Sequence, residues 1–350
     1  MQATLSGIMQ QDNMATTRKR TMNTDTLANR LEIAIDAERL LRGEPMSAHT
    51  TFKVGGPVDF FASIASVDEL VAVLDACRQA NAPWHVIGCG SDLLIADEGI
   101  EGVCICLGEH FAGIRVDGTR VIAQAGATNE QVAEAACEAG LSGYEFASGI
   151  PGSIGGAAIM NAGAYDGEFA HVCVEVTCLT PTGEVVTVPA SEADWRYRHS
   201  MMSDEGYIVL DATLQLVPWD TSQIRARMDE LAERRAAKQP LELGSAGSTF
   251  KRPLGHYAGK LIDDAGMRGH TCGGAQVSTK HCGFVVNMGT APVMCARSSQ
   301  TCKMPSSPIR VSCSNRKSAC GVLTTRVPAS GTACHLRSRA CGSNRASRPS

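Results

Sequence analysis

From Thr24 onward, Leu27, Leu31, Ala34, Ile35 and Leu41 fall on one helical face until Gly43 and Pro45 break the pattern, which predicts an N-terminal helix over 24–43. The spacing then shortens to a strand at 58–62. Ser66 and Glu69 form a capping-box pair opening a helix striped by Leu70, Val73, Leu74 and Cys77. A strand at 84–87 runs into glycines, and β-like runs follow at 103–107, 114–116 and 121–125, separated by Gly108, Gly113 and Gly118. Thr128 and Gln131 open a further helix that stops at Gly140, and Pro181-Thr182-Gly183 joins 172–180 to 184–188 as a hairpin. A strand at 207–217 and an amphipathic helix with Ile224, Met228 and Leu231 lead to Gln239-Pro240, with a domain boundary expected near 220. Alternating α and β at the start, a β-rich middle and a mixed remainder predict an α+β protein and not one doubly wound sheet.

Composition changes this picture at one place. The 350 residues carry a net charge of -4, but residues 292–350 hold ten Lys and Arg, six of the fifteen Cys, and no acid or aromatic residue. Residues 1–291 hold 22 basic and all 36 acidic residues. Such a tail cannot bury a core and is expected to be disordered, as is the polar stretch 1–23. The near-neutral balance excludes a polycationic nucleic-acid binder, and no apolar run is long enough to span a bilayer. With no secretory signal after Arg18-Lys19-Arg20, a cytoplasmic protein with reduced cysteines is expected.

The candidate chemistry lies in glycine-rich and basic segments. Gly88-Cys89-Gly90-Ser91-Asp92-Leu93 follows a strand directly, so it is either an ordinary β-turn or a nest of backbone N–H groups for phosphate oxygens. Gly149, Gly152, Ser153, Gly155 and Gly156 form a second block, whose glycines either pack backbone on backbone or lie against a flat or anionic ligand. Tyr197-Arg198 lies in a cluster suited to a carboxylate or phosphate. Ser248 stands between Gly247 and the basic pair Lys251-Arg252, as a cap or as a reactive hydroxyl. His270, Cys272, His281 and Cys282 lack the spacing of a zinc site, so no metal is expected.

In order, Thr51-Phe52-x-Val54-Gly55-Gly56, the two glycine blocks, Tyr197-Arg198-x-Ser200, Ala246-Gly247-Ser248-x-Phe250-Lys251, Ala258-Gly259-x-Leu261-Ile262-Asp263 and Gly273-Gly274-Ala275-x-Val277-Ser278 resemble the UDP-N-acetylenolpyruvoylglucosamine reductase (MurB) family of bacterial peptidoglycan precursor synthesis. The short step from Arg198 to the next strand resembles its subclass without a long substrate-closing loop. The resemblance implies an FAD-binding domain of the p-cresol methylhydroxylase type over 44–219, in two subdomains split near 105, and an α+β substrate domain over 220–291. It implies FAD at Gly55, Gly88, Gly90, Ser91, Asp92, Leu93, Gly149, Gly152, Ser153, Gly155 and Gly156. It also implies Arg198 and Ser248 as catalytic residues, Tyr197, Arg235, Lys238 and Lys251 facing substrate, and NADPH as reductant of the enolpyruvyl ether of a UDP-sugar.

This chain departs from the family twice. Asp92 stands where the family has Asn, and the resemblance ends after Asn287-Met288-Gly289, before the segment that carries the family's third catalytic residue, a glutamate. The abrupt compositional change points to a frameshift near 291, which would leave the enzyme crippled. The alternatives are an inactive flavin- or nucleotide-binding protein, or a different FAD-dependent oxidase tethered through Cys89 or His85.

Overall fold

Asn23 caps the first helix, α1 (Thr24–Ala34), by accepting from the Thr26 N–H at 3.0 Å, and Leu27, Ala28 and Leu31 are its buried face. A computed structural model describes residues 22–289 and the backbone of 322–324. The expected disordered termini, the compositional break after 291 and the missing glutamate therefore fall almost wholly outside the described residues. Where they are described, 322–324 pair antiparallel with Leu93–Ile95.

The helix expected to reach residue 43 ends at Ala34. Leu40–Pro45 is instead an edge strand pairing antiparallel with Pro57–Ser63, Leu40 opposite Ala62. Helical spacing of Leu41 was a coincidence of short range; ladder pairing with a distant strand outweighs local propensity, and Leu41 ends up exposed. The first sheet is completed by Ile100–Cys106 and Trp84–Ile87, both parallel joins, in the order 40–45, 57–63, 100–106, 84–87. Its parallel interior strand reads Ile-Glu-Gly-Val-Cys-Ile-Cys and is buried almost throughout, as parallel strands covered on both faces are. The helix α2 (Val67–Ala80) crosses over between strands, with Ser66 accepting from the Glu69 N–H and Asn81 in the left-handed conformation at its end.

The second sheet is wholly antiparallel, in the order Val185–Pro189, Cys173–Leu179, Ile208–Gln215, Arg120–Gln124, Ile114–Asp117. Against it lie α3 (Asn129–Glu138), with both bonds of the Thr128–Gln131 capping box formed, and α4 (Ile154–Met160), followed by the single-turn α5 (Met201–Asp204). One buried apolar cluster joins both sheets, from Leu27 through Ile105 and Val121 to Met228. The two sheets thus share a core.

The long helix α6 (Thr221–Lys238) belongs to that core. Ile224 and Met228 are in the cluster, and Arg225 forms a bidentate pair with Glu134 of α3. The packing break accordingly falls after Lys238 and not near 220, because a helix follows the surface its apolar stripe can bury. Beyond it, Gly244–Ser248, Phe284–Asn287, Ala275–Val277 and Thr271–Cys272 form a third, antiparallel sheet, flanked by α7 (Ala258–Asp264). The fold is α+β, and no helix among the described residues is long and apolar enough to cross a membrane.

Candidate active-site cleft

A cleft of about 1710 Å³ runs between the first two sheets and the third, and nearly all the chemistry singled out in the sequence faces it. The two glycine blocks form one wall because each needs the other's lack of side chain. A Cβ on Gly88 would stand 2.2 Å from Ser153 Oγ, and one on Gly152 would stand 3.0 Å from Ser91 Oγ. Gly90, at φ +59°, lies so close to the His49 carbonyl that a Cβ would overlap it. Two more glycines likewise have protein neighbours: Gly155 faces Ala125, and Gly149 faces the Arg235 guanidinium, which makes five in all. Gly156 differs, since a Cβ there would meet only Ser153 Oγ at 3.8 Å on the cleft wall.

The two walls also differ in their N–H groups. In the second block, Ile154 and Gly155 donate to the carbonyls of Ala127 and Ala125, so those donors are already used. In the first, the N–H groups of Cys89, Gly90 and Ser91 have no acceptor among the described residues, in a turn that lines the cleft. Such an open nest beside a bare glycine wall fits an elongated cofactor carrying a pyrophosphate.

Arg198 is held at the tip of a tight turn. Arg196 and His199 exchange backbone hydrogen bonds at 3.2 and 3.1 Å, which leaves Tyr197 and Arg198 as the two central residues, Arg198 at φ +53°. Its guanidinium donates to the carbonyls of Asn161 at 3.2 Å and Gly163 at 3.0 Å and lies over the Tyr197 ring, 5.1 Å from its centroid. Trp195 anchors the base of this turn against Phe169. Across the cleft, Ser248 ends a strand that bulges between Ser245 and Ser248, with Gly247 at φ +72°. A bulge redirects the following side chain, and Ser248 lines the cleft together with Lys251. The Tyr197 hydroxyl, accepting from the Arg252 N–H at 3.4 Å, links the two sides.

Of the other expected residues, Ser91, Asp92, Leu93 and Arg235 also line the cleft. Arg235 is buried; it donates to the Gly149 carbonyl, its Nε has no partner among the described residues, and it stacks on Tyr165. Burial pulls its pKa down, and Tyr165 partly opposes that. Three residues are not on the cleft lining: Lys238, exposed at the end of α6; Gly149, behind the wall; and Gly55, at φ +136° against Met46 and Ile95. The last serves the turn 51–56, which ties the cleft together. Thr51 N–H donates to Gly90 O at 3.2 Å, Thr51 Oγ1 to Ser245 O at 2.6 Å, and Asn287 Nδ2 to Phe52 O at 3.1 Å.

Sequence reading missed Asn129 and Asn161, both buried. Asn129 donates to the carbonyls of Ile150 and Gly152 while accepting from Tyr144 Oη at 2.7 Å, and so braces the second glycine block. Asn129 lies in no glycine-rich or charged run, and Asn161, although it falls within the glycine-rich stretch 149–163, carries no local signal of the distant groups that its amide meets. His281 also lines the cleft; burial lowers its pKa, and its Nδ1 accepts from the Gly283 N–H. Burial raises the pKa of the Cys89 thiol. Among the described residues, no group of three His, Cys, Asp or Glu is placed to hold a metal ion.

Residues 58–189 match the model of an FAD binding domain, and residues 239–296 match that of the UDP-N-acetylenolpyruvoylglucosamine reductase C-terminal domain. The reductase of that name from Agathobacter rectalis is 50% identical over 268 residues, covering 72% of this chain and 84% of the relative. That from Levilactobacillus brevis is 50% identical over 261 residues, covering 74% and 84%. The crystal structure of the enzyme from Thermus caldophilus superposes with a TM-score of 0.64 at 34% identity, over 73% of this chain and 90% of that one.

Proposed function

Because the chain belongs to the UDP-N-acetylenolpyruvoylglucosamine reductase family and is an FAD-dependent oxidoreductase of that activity, we propose that NADPH is its reductant and that Arg198 and Ser248 carry the chemistry on the enolpyruvyl ether. The observation that carries this reading is that one cleft joins an open N–H nest and bare glycine wall to Arg198 on one side and Ser248 on the other.

Bound FAD, once reduced by NADPH, would supply the hydride that adds to the terminal vinyl carbon. The electron pair displaced from the double bond moves onto the neighbouring carbon and its carboxylate. Arg198, with a planar fork of donors, holds that carboxylate and stabilises the added charge more than it stabilises the ground state. Ser248 Oγ gives its proton to the same carbon, completing the saturated lactyl ether. A serine hydroxyl is a weak acid in water, but the carbanionic carbon is a far stronger base, and Lys251 beside it raises the local positive potential. Arg235, buried beneath the second glycine block, sets the charge of that wall, and Tyr197 shelves the Arg198 guanidinium. Lys238 reaches the diphosphate or NADPH only if its exposed side chain swings toward the cleft.

The purified protein is expected to be yellow, with flavin released into solution by acid. Arg198→Lys keeps the charge but loses the two-point fork; turnover should fall at least ~10-fold, with flavin reduction by NADPH nearly unchanged in stopped-flow absorbance. An equal fall in both half-reactions would place Arg198 in the fold and not at the substrate.

A further inference from the structure

The short helix α4 begins in the second glycine block and ends on a residue the reaction scheme does not use. Asn161, 1% exposed, caps it in the left-handed conformation at φ +40°. Its carbonyl accepts from Arg198 Nη1 at 3.2 Å. Its Nδ2 donates to the Arg196 carbonyl at 3.3 Å and to Glu168 Oε2 at 3.1 Å, and its Oδ1 accepts from the Ala170 N–H at 3.0 Å. One residue thus grips the Arg198 turn twice, at its base through the side chain and at its guanidinium through the backbone. Ser200 Oγ, donating to Ile159 O at 2.8 Å, fixes the other leg on the same helix end.

We propose that Asn161 is a positioning residue that aims Arg198 at the substrate carboxylate; this rests on the assignment of Arg198 made above. A non-glycine residue at positive φ, such as Arg198, persists only where its surroundings impose it. Here Asn161 provides two of the contacts that do so, one at each end of the turn. The residue type follows from the demands on it. The site needs two N–H donors and one acceptor on a short side chain, together with a backbone that tolerates the left-handed region, and asparagine supplies all three. Aspartate would keep the acceptor and the backbone but set a second carboxylate against Glu168. Glycine would keep the backbone conformation, and with it the carbonyl toward Arg198, while removing every side-chain contact.

The test needs no turnover. The FAD-loaded full chain is titrated by calorimetry with UDP-N-acetylmuramate and with UDP-N-acetylglucosamine, which lacks the lactyl ether and with it the carboxylate; the ratio of the two affinities reports the lactyl subsite, whose one charged group is the carboxylate. Asn161→Gly and Asn161→Asp should each lower that ratio at least ~10-fold while affinity for UDP-N-acetylglucosamine stays within about twofold, as expected when one charged hydrogen-bonding contact is lost. In an Arg198→Lys background, Asn161→Gly should lower the ratio no further, since two residues acting as one unit are not additive. An unchanged ratio in both single variants would overturn the proposal, as would additive losses in the double variant. Loss of the FAD-loaded fold in both variants would make Asn161 a structural residue and overturn it equally. A parent protein with no preference for the carboxylate-bearing ligand would refute the Arg198 assignment itself.

Discussion

Residues 24–238 and residues 244–289 are held together by different forces. The first region packs one apolar cluster continuous from α1 to α6, with Tyr144 edge to face against Phe146 and Phe169, and with Trp195 tilted against Phe169 at its margin. The third sheet contributes only Ala275 to a small cluster completed by Phe52, with Val54, Leu94, Ala246 and Val285 partly buried around it. Its attachment is largely polar, through Thr51, Ser245 and Asn287. The wall expected to hold the cofactor therefore stands on a deep core, while the strand presenting Ser248 hangs from a turn. Fewer buried apolar contacts imply a lower free energy of local opening. The layer bearing Ser248, the proposed proton donor, is accordingly the one able to adjust to a substrate.

The contrast breaks most visibly in the core. Phe169 is fully buried between Tyr144 and Trp195, so Phe169→Ala should destabilise the first region by about 3–5 kcal/mol through lost burial and a cavity. Circular-dichroism melting should show a large fall in Tm with loss of bound flavin. An unchanged Tm would mean that the core is not cooperative.

A smaller and more local effect is expected at the hinge of the third sheet. Asn287→Ala removes both bonds to the Phe52 and Lys53 carbonyls, at roughly 1 kcal/mol each. Hydrogen exchange should quicken across 275–287 and remain slow in the strand 208–215. If both regions lose protection together, they form one cooperative unit and the contrast fails.

The smallest expected effect is electrostatic and belongs to the first region alone. Arg39 clasps Glu69 through two 2.6 Å bonds, and those bonds hold the Glu69 carboxyl below its ordinary range. A depressed folded-state pKa contributes stability above the unfolded pKa and loses it as the pH falls through the folded value. Stability of the parent should therefore decline on the acid side, and Glu69→Gln should flatten that decline in denaturation midpoints measured between pH 6 and 3. An acid limb of unchanged slope would show that the pair contributes nothing.

Local pattern was sufficient for most elements. The capping box at Thr128, the turn at 181–183 and the stripe Ile224, Met228, Leu231 are written within a few residues and form as expected, because caps, turns and amphipathic faces depend on near neighbours; at Ser66 the serine caps the helix, while the Glu69 carboxylate meets Arg39 and the Ala65 N–H. Leu40–Pro45 was misread since its partner lies some twenty residues away, and the packing of α6 was misplaced since its cover comes from α3.

For the site, motif order identified the family and nominated Arg198, Ser248 and the glycine blocks. The sequence by itself thus determined the α+β class, the family and the residue types available to the reaction. Only the tertiary structure decided which of them share a cleft, that Gly88 and Gly152 are required by Ser153 and Ser91, that Lys238 and Gly55 stand off its lining, and that Asn129 and Asn161 brace it. The physical reason is range. Backbone propensity and capping act over a few residues, whereas the Asn161 amide meets Arg196 and Glu168 only after two sheets, one helix end and a hairpin have been packed around a common core.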